Sequence, residues 1–275
     1  MDKISVQDLR GVPETLLIPL YERALETRRA DRIFRDDRAA ALAARIDYPF
    51  EQFKRAWMSQ VGVAVRTQIL DEQVRAFLQM HPAALVVNLG AGLCTRFFRV
   101  DNGRVTWIEL DLPAVTALRR QFIEETQRHR TLAASATDLA WLEAVSPEPH
   151  QALLIVAEGL LMYLDETEVR RLFLALADRF PGAHLLFEIN APLLTGRSQQ
   201  HGAVSKMQGP APFRWGPPSG ALCAAWDPRI HFVEEWNLID RFPRRWRWLA
   251  PAAWIAPLKR WMMNKIVHLD LSGVE

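Results

Sequence analysis

A doubly wound α/β domain built on a mostly parallel sheet is the fold class the sequence predicts. Three observations carry it. Strand-like and helix-like segments alternate from Ala84 to Ile189. The first of these strand segments, Ala84-Leu85-Val86-Val87-Asn88-Leu89-Gly90, is an almost continuous apolar run that ends in glycine, as suits a strand buried on both faces. The 275 residues are 49% hydrophobic and 24% charged, ample for a sizeable core, and no repeat, low-complexity stretch or linker divides them.

Taken in order, residues 1–82 read as a helical cap ahead of the sheet. Pro13 and Glu14 open a helical segment through Arg29, a second covers roughly Arg35 to Arg45, and a long helix runs from about Trp57 to Gln79. Val61, Val65, Ile69, Val74, Phe77 and Leu78 form much of the apolar face of that long helix. The core, 83–190, continues with a strand at 104–111, a helix from Pro113 to about Gln127, a strand at 131–135 and a helix near 138–144. A strand at 152–158, a helix from Glu166 to Arg179 and a strand at 183–189 complete it. Such alternation implies right-handed crossovers and helices on both faces of the sheet. Residues 191–228 form an insertion rich in Gly209, Pro210, Pro212, Gly216, Pro217, Pro218 and Gly220, long enough to be expected as a lid or binding element. Strands at 230–236 and 265–271 close the sheet within the C-terminal region 229–275.

Composition excludes several classes. A net charge of +2 is too small to imply a polyanionic partner by itself. Two cysteines, Cys94 and Cys223, are too few for a disulfide framework or a zinc site, and with no secretory pattern at the N-terminus they point to a reducing cytoplasmic setting. No apolar run approaches the roughly 20 residues that span a bilayer. Seven of the ten tryptophans fall between Trp215 and Trp261, which suggests an aromatic-lined region. The run Arg241-Phe242-Pro243-Arg244-Arg245-Trp246-Arg247-Trp248 interleaves arginine with aromatics, as nucleic-acid or membrane-surface segments do, but it is short, broken by proline and isolated in a nearly neutral chain, so neither a nucleic-acid nor a membrane-surface partner is expected from it. There is no Gly-Lys-Ser/Thr phosphate loop, no Gly-x-Ser-x-Gly elbow, no His-Glu-x-x-His helix and no sign of a metal.

The stretch that carries chemistry is Asn88-Leu89-Gly90-Ala91-Gly92-Leu93-Cys94-Thr95-Arg96. A buried strand that runs into Gly-x-Gly can turn sharply and let its backbone approach a ligand at the switch point of the sheet. Asp111 follows Gly92 by nineteen residues, at the end of the second strand, where a carboxylate can accept hydrogen bonds from both ribose hydroxyls of an adenine cofactor. A dinucleotide fingerprint would place a third glycine at 95, and Thr95 stands there instead. S-adenosylmethionine has no pyrophosphate and does not need that glycine, so the balance moves from a nicotinamide oxidoreductase towards S-adenosylmethionine. Asp138 and Leu139, after the third strand, are placed to meet adenine, with a plain helix cap as the alternative for Asp138. Glu158, at the end of the fourth strand, is placed beside the methyl-transfer position.

At these residues the chain resembles the leucine carboxyl methyltransferase family, in its tetracenomycin-type polyketide O-methyltransferase branch. The resemblance runs through Gly11-Val12-Pro13-Glu14-Thr15-Leu16-Leu17, Arg66-Thr67, Asn88-Leu89-Gly90-Ala91-Gly92, Glu109-Leu110-Asp111-Leu112-Pro113, Ala157-Glu158-Gly159-Leu160-Leu161-Met162-Tyr163 and Trp215-Gly216. It implies a seven-stranded Rossmann-like methyltransferase sheet and S-adenosylmethionine as cofactor, with S-adenosylhomocysteine as product. It also implies that Arg66 pairs with the methionyl carboxylate, which no local pattern suggests. The cofactor-binding set it implies is Arg66, Asn88, Gly90, Ala91, Gly92, Thr95, Asp111, Leu112, Asp138, Leu139, Glu158 and Gly159. Many relatives carry aspartate where this chain has Cys94, a departure that bears on cofactor affinity unless Cys94 is simply a small buried residue.

Methyl transfer from a sulfonium is an in-line displacement, in which the protein mainly aligns the reacting atoms. A carboxylate acceptor is already ionised and needs no base, whereas a phenol, with a pKa of about 10, gains from one. His201 in the insertion is the best base the sequence offers, and Tyr163 can line the same pocket. Arg66, Arg23 or Lys206 can supply counter-charge, and Trp215 with its neighbouring aromatics suits a bulky acceptor. The expectation is methyl-ester formation on a small acceptor, which the resemblance implies is polyketide-like. A hydroxyl acceptor and a non-catalytic cofactor-binding protein are the alternatives, and the oligomeric state is not legible.

Overall fold

In the computed structural model, which describes residues 3–6, 9–207, 209 and 211–272, five parallel strands form where the apolar runs predict them. These are β1 (Leu85–Leu89), β2 (Thr106–Asp111), β3 (His129–Ala133), β4 (Leu153–Ala157) and β5 (His184–Ile189). β6 (His231–Asn237) and β7 (Lys265–Asp270) complete a seven-stranded sheet in the order β3-β2-β1-β4-β5-β7-β6. β7 runs antiparallel to both of its neighbours, and β6 meets it with a bulge between Phe232 and Glu234. β1 and β4 are buried along their whole length, which explains why they read as unbroken apolar runs rather than alternating ones.

Helices cover both faces. α1 (Leu17–Thr27), α2 (Asp37–Arg45) and α3 (Trp57–Met80) precede the sheet, and α4 (Arg96–Val100), α5 (Pro113–Arg120) and α6 (Glu166–Arg179) cross between strands. α7 (Ala256–Met262) lies just ahead of β7. All six residues expected on the apolar face of α3 enter one core cluster with Val86, Trp107 and Leu154. The opposite face of the sheet packs Val87, Ile155 and Phe187 against Leu172, Phe173 and Leu176 of α6. α6 opens with a capping box: the Glu168 N–H donates to the Asp165 carboxylate, and the Asp165 N–H donates to the Glu168 carboxylate. A third cluster joins α1 and α2 to the insertion, through Leu17, Leu20, Phe53, Met162 and Phe213.

Three local expectations need correction. α5 ends at Arg120 rather than near Gln127, because Ile123 turns back into the cluster of the N-terminal helices and Phe122 stacks under Arg45. β3 begins at His129, two residues before the expected start, since its register pairs His129 with Trp107 and Ala133 with Asp111. Segment 139–144 is a 3-10 turn. The insertion is a chain of short 3-10 turns (Gln208 and Pro210 lie outside the described residues). It is pinned to the core at Gly220, where an added Cβ would stand 2.3 Å from a Val267 methyl. Among the described residues no helix is long and apolar enough to cross a membrane.

Candidate active site

The order of strands places the switch point between β1 and β4, whose crossovers leave in opposite directions and open a crevice at their carboxyl ends. A cavity of about 710 Å³ occupies that place. Its volume lies within the usual range of small-molecule sites.

One end of the cavity is made by the glycine turn. Gly90 and Gly92 adopt φ of +63° and +50°, a region that side chains rarely tolerate, and a Cβ on Gly90 would come within 2.9 Å of Leu160. The Asp111 carboxylate accepts from the N–H groups of Gly92 and Leu112, each at 2.7 Å. Burial raises its pKa against those two hydrogen bonds. From behind, Arg119 donates to the carbonyls of Gly92 and Cys94 at 3.0 and 2.9 Å and to Glu109 at 2.7 Å, while Asn88 donates to the other Glu109 oxygen. Glu109 is fully buried. Burial would raise its pKa, but Arg119 and His129 outweigh that and lower it. The loop is thus held by charge-assisted bonds to its own carbonyls, and its cradle is shaped for a nucleoside with two vicinal hydroxyls. Neither Glu109 nor Arg119 carries a signal in the sequence beyond an ordinary strand acid and an ordinary helix cation.

The middle of the cavity is an ion network. Arg66 donates to Glu158 at 2.8 Å and to Glu188 at 2.9 Å, and Arg96 donates to Glu158 at 2.6 Å and to Asp71 at 2.9 Å. Burial penalises the Glu158 charge, yet Arg96 and Arg66 prevail and hold its carboxyl well below the usual range. Nη2 of Arg66 takes no bond among the described residues and faces Gly159, where an added Cβ would stand 3.4 Å away. That leaves a guanidinium edge for the methionyl carboxylate beside the glycine. Cys94 is buried, lines the cavity and receives a weak bond from Arg96 at 3.8 Å.

The far end is made by side chains. Tyr163, His201 and Phe213 lie together, with the tyrosine and histidine rings each 5.7 Å from the phenylalanine. Burial raises the Tyr163 phenol to about 12 and lowers the His201 imidazole to about 4, with Arg66 adding to the latter. His201 Nδ1 accepts from the Val204 N–H at 3.2 Å, which assigns the proton of the neutral ring to Nε2. His201, the best base candidate the sequence offered, is thus a buried neutral ring with its proton on Nε2.

Of the expected site residues, Arg23, Arg66, Asn88, Gly90, Ala91, Gly92, Asp111, Leu112, Glu158, Gly159, Tyr163 and His201 line this one cavity. Five do not. Thr95 is buried beneath the turn, where it donates to Asp36 at 2.5 Å and ties the loop to the N-cap of α2. Asp138 caps the 3-10 turn through the Ala140 N–H, and Leu139 leans on the core; because β3 ends early, Ser135, Ala136 and Thr137 form the wall instead. Lys206 is exposed at the end of a turn, outside the cavity wall. Trp215 packs between Phe187 and Trp226 in the core, so its role is structural. No cluster of His, Cys, Asp and Glu suited to a metal exists among the described residues.

A model of the leucine carboxyl methyltransferase family matches residues 17–177. The chain belongs to that family. Its relatives include the tetracenomycin polyketide synthesis O-methyltransferase of Streptomyces glaucescens, 35% identical over 84% of this chain and 85% of that one. An S-adenosyl-L-methionine-dependent methyltransferase of Gibberella zeae is 30% identical over 66% of this chain and 65% of the other. Among solved structures, a methyltransferase-like protein of Thermobifida fusca superposes with a TM-score of 0.60 at 14% identity, over 98% of this chain and 97% of that one. Magnesium protoporphyrin IX methyltransferase of Synechocystis, with bound S-adenosylmethionine, does so at 0.50 and 9% identity, over 87% and 99%. These likenesses establish the fold. As a leucine carboxyl methyltransferase family member, the protein is an S-adenosylmethionine-dependent O-methyltransferase, and the glycine cradle and Asp111 fit that cofactor.

Proposed function

We propose that the protein forms a methyl ester on a carboxylate of a small, bulky, largely apolar acceptor. The observation that carries this reading is the absence, among the described residues of the acceptor end, of a group able to take a proton at neutral pH. The His201 imidazole is neutral with Nδ1 engaged, and the Tyr163 phenol stays protonated. A phenol acceptor needs such a group, and a carboxylate does not.

The cavity also contains a suitable counter-charge that sequence reasoning overlooked. Arg23 is committed to the Leu93 carbonyl and Asp36, and Arg66 to two glutamates. Arg55 lines the wall with no carboxylate partner among the described residues. It stands at the entry to α3, next to Ala56, against which Gly202 of the His201 turn packs. Arg55 holds the acceptor carboxylate in this reading, the Nε2–H of His201 donates to an acceptor oxygen, and Tyr163 and Phe213 flank its ring system. Bound S-adenosylmethionine supplies an electrophilic methyl on a cationic sulfur. The chain's contribution is to orient: Asp111 fixes the ribose, Arg66 the methionyl carboxylate, and the apolar walls exclude water around a charge-neutralising displacement. The polyketide link in the name of the Streptomyces glaucescens relative supports a small-molecule acceptor.

The test is a paired screen of aromatic carboxylic acids and the corresponding phenols, with S-adenosylhomocysteine release as readout across pH. Turnover of acids with kcat/KM flat from about pH 6 to 9 is expected. Turnover of phenols alone, rising about tenfold per pH unit below about pH 10, would replace this reading with hydroxyl methylation.

A further inference from the structure

The segment from Arg241 to Met262 holds six cations and no acid. Three of those cations are engaged: Arg241 with Glu72, Arg245 with Glu26 and Lys259 with Asp240. Arg244, Arg247 and Arg260 have no carboxylate partner among the described residues, and all three are exposed. The same segment leaves Trp248, Trp254, Ile255, Leu258, Trp261 and Met262 exposed, with Trp254 at 90%. A folded chain rarely presents so much large apolar surface in one short stretch unless something covers it.

This surface joins the cavity. Trp248 and Met262 line its wall together with two other exposed apolar residues, Met58 at the start of α3 and Leu193 after β5. The turn Pro192–Leu194 packs on α7, and Trp248 meets Trp57 edge to face at 6.3 Å. The mouth of the cavity is therefore rimmed by thioether, leucine and indole side chains, and the unpaired arginines belong to the same segment as half of that rim.

We propose that this face docks on an anionic lipid surface, so that the cavity opens towards the bilayer and takes an apolar acceptor from it. Indoles with aliphatic neighbours bury into the headgroup boundary, while arginines on the same segment meet lipid phosphates and carboxylates. Charge decides among occupants. A second copy would bring the same three unpaired arginines against themselves across an isologous contact. Nucleic acid would use stacked aromatics but gains nothing from Ile255, Leu258 and Met262. An acidic surface with an apolar interior satisfies both halves of the patch. The inference is independent of which acceptor group is methylated.

The test is sedimentation of the full chain with vesicles of phosphatidylcholine, with and without phosphatidylserine. Binding to the phosphatidylserine vesicles alone, weakened by salt, is expected. Arg244→Glu with Arg260→Glu should weaken it about 100-fold, and Trp254→Ser with Trp261→Ser about tenfold or more. These positions are exposed, so thermal melting checks that both variants remain folded. The proposal is overturned if the wild-type chain stays in the supernatant with both vesicles, or if both variants bind as it does. It is equally overturned if light scattering shows a dimer that the tryptophan variant dissolves, or if an RNA oligomer binds where vesicles do not.

Discussion

At the cofactor end of the cavity the wall is backbone, and at the acceptor end it is side chain. Gly90, Ala91, Gly92 and the carboxylate of Asp111 sit at the ends of two central parallel strands, and Arg119 and Asn88 lock them from behind. Tyr163, His201, Phe213 and Arg55 sit instead on 3-10 turns and loop segments joined by few backbone bonds. The difference teaches which end of the cavity can change without disturbing the sheet. Strand ends are positioned by the whole sheet, so a change there disturbs many partners, whereas a side chain on a loop can be exchanged with little effect on the rest.

The sharpest way to break that contrast is at the turn itself. Gly90→Val forces a branched side chain into positive φ and against Leu160. Calorimetry should find S-adenosylhomocysteine affinity reduced by more than about 100-fold, with a stability loss of about 3 kcal/mol in denaturant unfolding. A variant that binds normally would mean the turn is not the cradle. Asp111→Ala should cost about 30–100-fold in cofactor affinity through two lost charge-assisted bonds, while the KM for the acceptor changes little.

Glu22, buried in α1, tests the charge balance around Arg66 and Arg23. Burial raises its carboxyl to about 8, with Ser59, Arg66 and Arg23 opposing. The folded state then holds a proton that the unfolded chain releases at the ordinary carboxyl pKa of about 4.3. This stabilisation is fully present below that pH and is lost as pH rises towards about 8. Wild type should therefore lose about 3–4 kcal/mol of stability relative to Glu22→Gln between pH 5 and pH 8, as read by thermal melts at both. Equal slopes for the two proteins would place the Glu22 charge elsewhere.

At the acceptor end, Arg55→Ala should raise the KM for a carboxylic acid about tenfold and leave cofactor affinity unchanged, as expected for one solvent-facing charged contact. The smallest effect belongs to His201. His201→Asn keeps a donor, and kcat should change less than about threefold with no new pH dependence. A loss of more than about 100-fold that shrinks as falling pH protonates the wild-type imidazole would restore the histidine as a base.

Much of the sheet was legible because its signals are local. An almost continuous apolar run marks a strand covered on both faces, as at Leu85–Leu89 and Leu153–Ala157. Where a residue's environment depends on a distant segment, the local reading failed. Thr95, which the resemblance puts in the cofactor set, is drawn down to Asp36, fifty-nine residues earlier. Asp138 lies outside the cavity because the register of β3 against β2 ends that strand early. Arg55 was passed over because an arginine before a helix looks like any solvated cation.

By itself, then, the sequence determined the order of strands and helices, the positive-φ turn of Gly90 and Gly92, and the carboxylate of Asp111 at the end of the next strand, since each follows from steric rules acting within a few residues. The resemblance to relatives added Arg66. Only the tertiary structure decided that Arg66 and Arg96 share Glu158, that Glu188 joins them from 122 residues away, and that the histidine of the insertion accepts the Val204 N–H at Nδ1, which leaves its proton on Nε2. Those outcomes depend on which buried charges meet. A buried charge is stable only beside its partner, and packing of the whole chain chooses that partner.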